Sequence, residues 1–414
     1  MLNALWVGFL LAAFAAACYR YIALDDGGIF AALMQAAFAS AKTGFEIALG
    51  LTGVMCLWLG VLKIGERAGF LDALARLLAP LFARLFPDVP RGHPALGSIT
   101  MNLSANVLGL DNAATPMGLK AMRELQELNP HKDTASDAQV LFLVLNASSV
   151  TLLPVTIFTY RAQLGAADPT DVFIPILIAT YCSTLAGFAF VAAVQRLRLS
   201  DPVLLAWLGG LTAAVGGLAA WFASLPPEQL APTSSQMSNF LLLVLIVLFL
   251  LGATVKRVNA YEAFIDGAKE GFQVAVTIIP YLVAMLVAIA LLRASGLLGL
   301  LVEAARAGVQ ALGYDAAWVE ALPTMLMKPL SGSGARAMMI ETMQTHGADS
   351  FAGRLASIVQ GSTETTFYVL AVYFGAVGIK RVRHAVAGGL IADCAGFAAA
   401  VAAAYLFFGA QLRT

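Results

Sequence analysis

The sequence predicts an all-α polytopic membrane protein of two inverted-topology repeats, each with a re-entrant helical hairpin and a broken transmembrane helix. Three observations predict it. Apolar residues make up 60% of the chain and charged residues 12%, with a mean hydropathy of +0.81. That excludes an ordinary soluble domain. Apolar runs of span length recur along the whole chain, giving about nine crossings. Two further stretches lie between spans but are too polar and too interrupted to cross. Irregular backbone survives at membrane depth only where protein or a wet cavity covers it.

Leu2 to Tyr19 is the first span. Ala15-Ala16-Ala17-Cys18 is similar to a lipoprotein cleavage box, but no basic residue precedes the apolar run, which favours a retained helix. Phe30 to Ser40 reads as an interfacial helix and Glu46 to Leu62 as the second span. From Ile64 to Phe86, Arg67, Arg76 and Arg84 are spaced among leucines, the pattern of a helix lying on the membrane surface. The first hairpin lies within His93 to Lys120. It turns at residues 109–112, and a second half-helix follows with Thr115 as N-cap and Pro116 at its first position. Spans follow near Gln139–Tyr160, Val172–Gln195, Pro202–Trp221, Asn239–Val255 and Phe272–Leu292. The second broken region, Trp318 to Thr345, precedes the last two spans, Leu355–Phe374 and Ala385–Phe408.

Charge placement predicts orientation. Placing Lys63 to Asp137 in the cytoplasm also puts Arg196, Arg198, Lys256, Arg257, Lys269, Lys380, Arg381 and Arg383 there, while Ser224 to Ser238, without Lys or Arg, falls outside. That satisfies the positive-inside rule and predicts a multi-pass protein of the cytoplasmic (inner) membrane, with its N-terminus cytoplasmic and C-terminus external. Formal net charge is zero, so nothing points to a nucleic-acid partner. The expected partners are the lipid bilayer and a small-molecule solute. A homo-oligomer is compatible with the sequence.

The chain also reads as an internal duplication. Lys42-Thr-Gly44-Phe45 recurs as Lys269-Glu-Gly271-Phe272, and Gly69-Phe-Leu71 recurs at the same spacing as Gly296-Leu-Leu298. Ser148 and Thr151 match Ser362 and Thr365 at a second common spacing. An odd number of crossings separates the copies, so they face opposite ways. Inverted repeats with broken helices at mid-membrane are the architecture of secondary transporters, with the site at the repeat interface.

Each copy carries two polar interruptions, and these are the expected substrate-binding clusters. In the first copy they are Asn102, Asn106, Asn112 and Thr115 at the hairpin, then Asn146, Ser148, Ser149 and Thr151 within one span. Pro154 there removes the hydrogen bond to the Val150 carbonyl. In the second copy the tip holds Lys328, Ser331, Ser333 and Arg336, and its partner span holds Gln360, Ser362, Thr363, Glu364 and Thr365. Any one Ser or Thr can simply bond back to its own helix. Four clusters at equivalent positions favour a site.

The charged members carry separate readings. Glu364 sits mid-span, where an ionisable group is expensive: it binds a solute, a coupling proton or Na+, or it pairs structurally with Arg336 or Lys328. Arg336 follows a Gly-rich turn near a half-helix N-terminus, and either holds an anionic group or snorkels to the surface. Asp111 suits an N-cap, and Asp393 is a buried charge without an obvious partner. The four histidines lack ligand spacing, and the four cysteines stand singly in apolar runs. No metal, cofactor or enzymatic nucleophile–base pair is expected.

Certain motifs resemble a known family. Leu85-Phe-Pro-Asp-Val-Pro90, Asn102-Leu-Ser-Ala-Asn106 and Gly109-Leu-Asp-Asn-Ala-Ala-Thr-Pro-Met-Gly-Leu-Lys-Ala-Met122 are similar to spore maturation protein A. Tyr261-Glu-Ala-Phe264, Ile279-Pro-Tyr-Leu-Val283, Arg293-Ala-Ser-Gly296 and Gln360-Gly-Ser-Thr-Glu364 are similar to spore maturation protein B. The resemblance implies a fused pair built on the nucleoside recognition or gate domain, a module shared with concentrative nucleoside transporters and ferrous-iron permeases. It also implies a spore or envelope maturation role. The second tip reads SGSGAR where the family pattern has SGTAAL, so Arg336 would set a preference particular to this version. The expected division is 1–200 as the A-like gate repeat, 201–238 as a linker with an adapter helix, and 239–414 as the B-like gate repeat. Two function classes stay open: a secondary transporter or facilitator of a small polar solute, nucleoside-like or anionic, and a non-transporting structural or regulatory membrane component.

Overall fold

The computed structural model describes residues 2–148, 150–197 and 199–412, with the side chains of Leu2 and of residues 111–113 outside the description. It is helical throughout, apart from an isolated bridge between Thr134 and Arg381. The helices are α1 (Leu2–Ala23), α2 (Ile29–Arg67), α3 (Phe70–Leu85), α4 (Pro94–Val107), α5 (Asp111–Leu128), α6 (Asp137–Ala147), α7 (Val155–Gln163), α8 (Phe173–Gln195) and α9 (Pro202–Ala223). They continue with α10 (Pro227–Val255), α11 (Ala260–Ala294), α12 (Leu297–Ala311), α13 (Leu322–Met327), α14 (Gly332–His346), α15 (Phe351–Ser362), α16 (Thr366–Ala376) and α17 (Ala385–Phe408). Among the described residues, seven helices are long and apolar enough to cross a membrane: α1, α2, α8, α9, α10, α11 and α17.

The same order of elements occurs twice. A long helix (α2, α11) turns through a left-handed glycine, Gly69 at φ +82° and Gly296 at φ +85°, into a shorter amphipathic helix (α3, α12). A hairpin follows (α4–α5, α13–α14), then a broken helix (α6–α7, α15–α16), then an unbroken span (α8, α17). Equivalent long helices pack against each other. Gly44 faces Val283, Met55 faces Gly271 and Gly60 faces Phe264, so α2 and α11 run antiparallel. Gly187 against Ala392, and Ser183 against Gly396, make α8 and α17 antiparallel too. Small residues permit these crossings, as between membrane helices generally. A Cβ on Gly267 would collide with the Leu59 carbonyl.

Ion pairs sort the loops into two ends. At one end Lys63 meets Glu270 at 3.1 Å, Arg67 meets Asp266 at 2.7 Å, Arg84 meets Asp201 at 2.9 Å and Arg383 meets Asp137 at 2.7 Å. At the other, Arg20 meets Asp26 at 2.7 Å, and Arg161 meets Asp171 at 2.9 Å and Asp349 at 3.1 Å.

Three expectations need correction. The interfacial helix at Phe30–Ser40 and the span at Glu46–Leu62 are one helix, α2, of 39 residues. No proline interrupts it, and Lys42 reaches Glu46 at 3.6 Å across the expected gap. At about 58 Å it exceeds the hydrocarbon core of ~30 Å, so hydropathy marks only its embedded part. The polar stretch Ser224–Ser238 is mostly not a loop, because α10 starts at Pro227, where proline costs no helical hydrogen bond. Ser234 then donates to the Asp171 carbonyl at 3.3 Å. Finally, Thr115 does not cap the second half-helix. That helix starts at Asp111 with Leu110 as N-cap, and Pro116 lies inside it.

Candidate functional site

Four interruptions of regular helix meet in the interior. The first hairpin tip turns at Gly109, φ +71°, where Leu110 N donates to Ala105 O at 2.9 Å. The second tip folds back by Ser331 N to Met327 O at 2.8 Å, and the Ser331 hydroxyl accepts from Gly334 N at 3.0 Å to cap α14. Between α6 and α7 the described residues, Ser148 and 150–154, lie outside helix, and α15 gives way to α16 through residues 363–365.

Backbone groups exposed by these breaks satisfy one another, as burial requires. Leu152 N donates to Val107 O at 2.8 Å, joining the first break to the first tip. Phe367 N donates to Pro329 O at 3.0 Å, the same connection in the second half. Glu364 N donates to Ala147 O at 2.8 Å and ties the two breaks together.

A cavity of about 130 Å³ lies where these elements converge. Of the residues in the expected clusters, Asn106, Thr151, Lys328, Arg336, Gln360, Thr363, Glu364 and Thr365 line it. Asn106 Nδ2 donates to Asn146 Oδ1 at 2.8 Å, so Asn146 supports the wall from behind. Several others turn away. The Ser148 and Ser362 hydroxyls donate back to Val144 O and Val359 O on their own helices, each at 2.8 Å. Asn102 is buried and donates to Ala114 O at 2.8 Å and to the Tyr373 hydroxyl at 3.4 Å. Ser331 and Ser333 bond to each other at 3.2 Å at the start of α14. Thr115 is exposed and lines neither this cavity nor its neighbour. The Asn112 and Asp111 side chains and all of Ser149 fall outside the described residues.

A second cavity of about 560 Å³ adjoins the first between α2 and α11, running past Leu51 and Val274 to Lys63, Glu66 and Glu270. Both cavities are lined by Gly109, Val155, Thr156, Tyr160 and Arg336. Tyr160 and Thr156 were not anticipated. They follow Pro154 one helical turn apart, an i,i+4 polar pair that sequence could have flagged. The Arg336 guanidinium stands over the Tyr160 ring, 5.7 Å from its centre.

Among the residues that line the inner cavity, Gln360 holds a buried carbonyl oxygen, Oε1, with no hydrogen-bond partner, and the Arg336 Nε and Tyr160 Oη atoms are buried without a well-formed one. Buried polar groups are normally satisfied, so donors and acceptors are left here for a polar guest.

Just beyond Tyr160, the fully buried Arg161 is held by Asp171, Asp349 and the Ala348 carbonyl, the last at 2.7 Å. Arg354 joins through Asp171 at 2.7 Å. Burial pushes the Asp171 carboxyl up from the usual carboxylate range, and the two guanidiniums act against that shift. No group of three or more His, Cys, Asp or Glu able to hold a metal occurs among the described residues.

These features define a class: a polytopic helical membrane protein whose interior cavity lies between two hairpin tips and two broken helices. The chain belongs to the Gate family, described as nucleoside recognition, whose profile matches residues 48–163 and 275–380. One matched segment starts in α2 and ends with α7, and the other starts in α11 and ends just past α16. The chain is 44% identical over 178 residues to Spore maturation protein B of Bacillus subtilis (strain 168), across 42% of this chain and 98% of that protein. It is 43% identical over 149 residues to Spore maturation protein A of the same strain, across 36% of this chain and 76% of that protein. One chain thus combines relatives of both. No solved structure matches it.

Proposed function

We propose that this protein is a secondary transporter or facilitator of a small polar solute, nucleoside-like or anionic, with its site between two inverted repeats. The observation that carries the reading is the inner cavity. Both hairpin tips and both breaks line it, and among its lining residues Gln360, Arg336 and Tyr160 each hold a buried polar atom without a well-formed hydrogen bond. The antiparallel packing of α2 with α11, and of α8 with α17, supports the inversion. Counting each broken helix as one span gives nine crossings and places the N-terminus in the cytoplasm by the positive-inside rule. The larger cavity then faces the cytoplasm, and the Arg161–Asp171–Asp349–Arg354 network closes the external side.

α9 fits the adapter role between an A-like repeat (1–200) and a B-like repeat (239–414). A Cβ added at Gly209, Gly210, Gly216 or Gly217 would meet nothing within 4 Å, and no α9 residue lines either cavity.

The second reading is a non-transporting structural or regulatory component of spore or envelope maturation, favoured by the names of the two relatives. Thermal-shift screening of purified protein against nucleosides, bases, amino acids and small carboxylates separates the two. A saturable rise in Tm with one class, lost in Gln360→Ala, supports the cavity. No response from any class favours the second reading.

A further inference from the structure

The two adjoining cavities differ in size and in chemistry. The inner one, about 130 Å³, falls below the ~300–1,000 Å³ of most ligand pockets, whereas the larger one, about 560 Å³, lies within that range. The inner cavity therefore has room for a compact polar group, and the rest of a bigger guest has to lie in the larger one. That cavity is walled by Leu51, Met55 and Leu59 of α2 and by Val274 and Ile278 of α11. These positions recur every four residues, so each helix turns one apolar stripe to the space between them.

Charges sit at the two ends of this apolar trough and not along it. Gln163, just beyond Tyr160 on α7, lies against Gly50, which puts Tyr160 and the Arg336 guanidinium above it at the Leu51 end. At the opposite end Lys63 meets Glu66 and Glu270, each at 3.1 Å. From Leu51 to Lys63 the helix rises by about 18 Å. Both glutamates of the mouth thus pair with Lys63, and among the described residues no carboxylate forms an ion pair with Arg336. Lys328 and Glu364 line the inner cavity with opposite formal charges, so Arg336 leaves its described lining one positive charge in excess. A guanidinium in an apolar wall without a carboxylate is costly, and an anion delivered to it offsets that cost through charge-assisted hydrogen bonds.

We propose that the solute is an organic monocarboxylate with an apolar body. Its carboxylate meets Arg336 and Tyr160 where the cavities join, and its body lies between the apolar stripes of α2 and α11. The inference rests on the transport reading and names its substrate class. One carboxylate matches the one excess charge, whereas a second would lie desolvated among leucine, valine and isoleucine side chains. A neutral nucleoside would leave the guanidinium uncompensated and set its polar sugar or base against the same stripes.

The test is the Tm of purified full-length protein as sodium butyrate, hexanoate or benzoate replaces sodium chloride, with the matching amides and uridine as neutral probes. A ligand that binds only the folded state raises stability with its concentration. Hexanoate and benzoate should raise Tm saturably, and the midpoint should fall from butyrate to hexanoate by up to about fourfold per buried methylene. The amides should give no comparable rise, which keeps the test decisive on wild type if a variant does not fold. Arg336→Gln should weaken hexanoate about tenfold or more. Val274→Thr, similar in shape but polar, should weaken hexanoate more than butyrate. Acids and amides acting equally, no gain from butyrate to hexanoate, or an unchanged response in Arg336→Gln overturns the proposal. A rise with uridine that is lost in Gln360→Ala, while no acid acts, overturns the substrate class and leaves the transport reading standing. A flat Tm with every probe also overturns the proposal, and the transport reading falls with it only if counterflow is absent too.

Discussion

Arg336 and Tyr160 face each other across the boundary between the two cavities, the guanidinium 5.7 Å from the ring centre. Each comes from a different half of the chain, α14 and α7. Arg336 Nε and Tyr160 Oη are both buried without a well-formed hydrogen bond. Both residues line both cavities, so under the transport reading the pair is placed to meet a solute between them.

Arg336→Gln should weaken binding of anionic solutes and leave neutral ones nearly unaffected. A charge-assisted hydrogen bond contributes ~1.5–3 kcal/mol, about tenfold or more in affinity. Tyr160→Phe should lower affinity for both kinds by less. Competition binding with a carboxylate and a neutral nucleoside checks this. Equal losses for the two would assign Arg336 to structure.

Asn106→Ala should destabilise the first hairpin, because Asn146 Oδ1 loses its donor at 2.8 Å. Leaving a buried acceptor bare costs ~1–3 kcal/mol. Asn146→Ala should give a similar loss, and the double variant less than the two losses together, since both remove one contact. Unfolding of the three variants measures the coupling.

Much of this interior was legible beforehand. Pro154 marked the first break, and the Gly/Ser-rich tip and the Gln360–Thr366 cluster marked the second, because helix-breaking chemistry is local. Lengths were less legible. α2 and α11 run well past their apolar segments, and no residue at Ser40–Glu46 signals continuation or arrest. The start of α5 was misplaced because Thr115-Pro116 is a sound local cap signal. The tip is set instead by the turn that brings Leu110 N to Ala105 O. Which hydroxyls face the cavity was not legible either. Ser148 and Thr151 look alike in sequence, yet only Thr151 lines it.

Arg161→Ala should be among the most damaging single substitutions. It strands Asp171, which is 4% exposed, with Arg354 as its remaining partner at 2.7 Å. Breaking a buried pair from one side costs ~3–5 kcal/mol. If the network closes the external side, the milder Asp349→Asn should raise labelling of a cysteine placed at Thr156 by an impermeant external reagent. Unchanged labelling would reduce the network to a structural clasp.

Severing the chain near Pro226 and deleting residues 202–225 should still yield two halves that assemble, because α9 buries only Leu204 and Phe222. Co-purification and cysteine-labelling topology check it. Correct insertion without assembly would place α9 in the working core.

The central claim is that the cavity between the two tips is a solute path, and counterflow in liposomes tests it most directly. Vesicles containing this protein are loaded with an unlabelled nucleoside or carboxylate and diluted into the labelled solute. Transient accumulation of label is predicted for wild type. It should be lost in Gln360→Ala, while Glu364→Gln should abolish or strongly shift its dependence on pH or ions. Accumulation no greater than in protein-free vesicles, for every solute that shifts the Tm of the purified protein, would contradict the account.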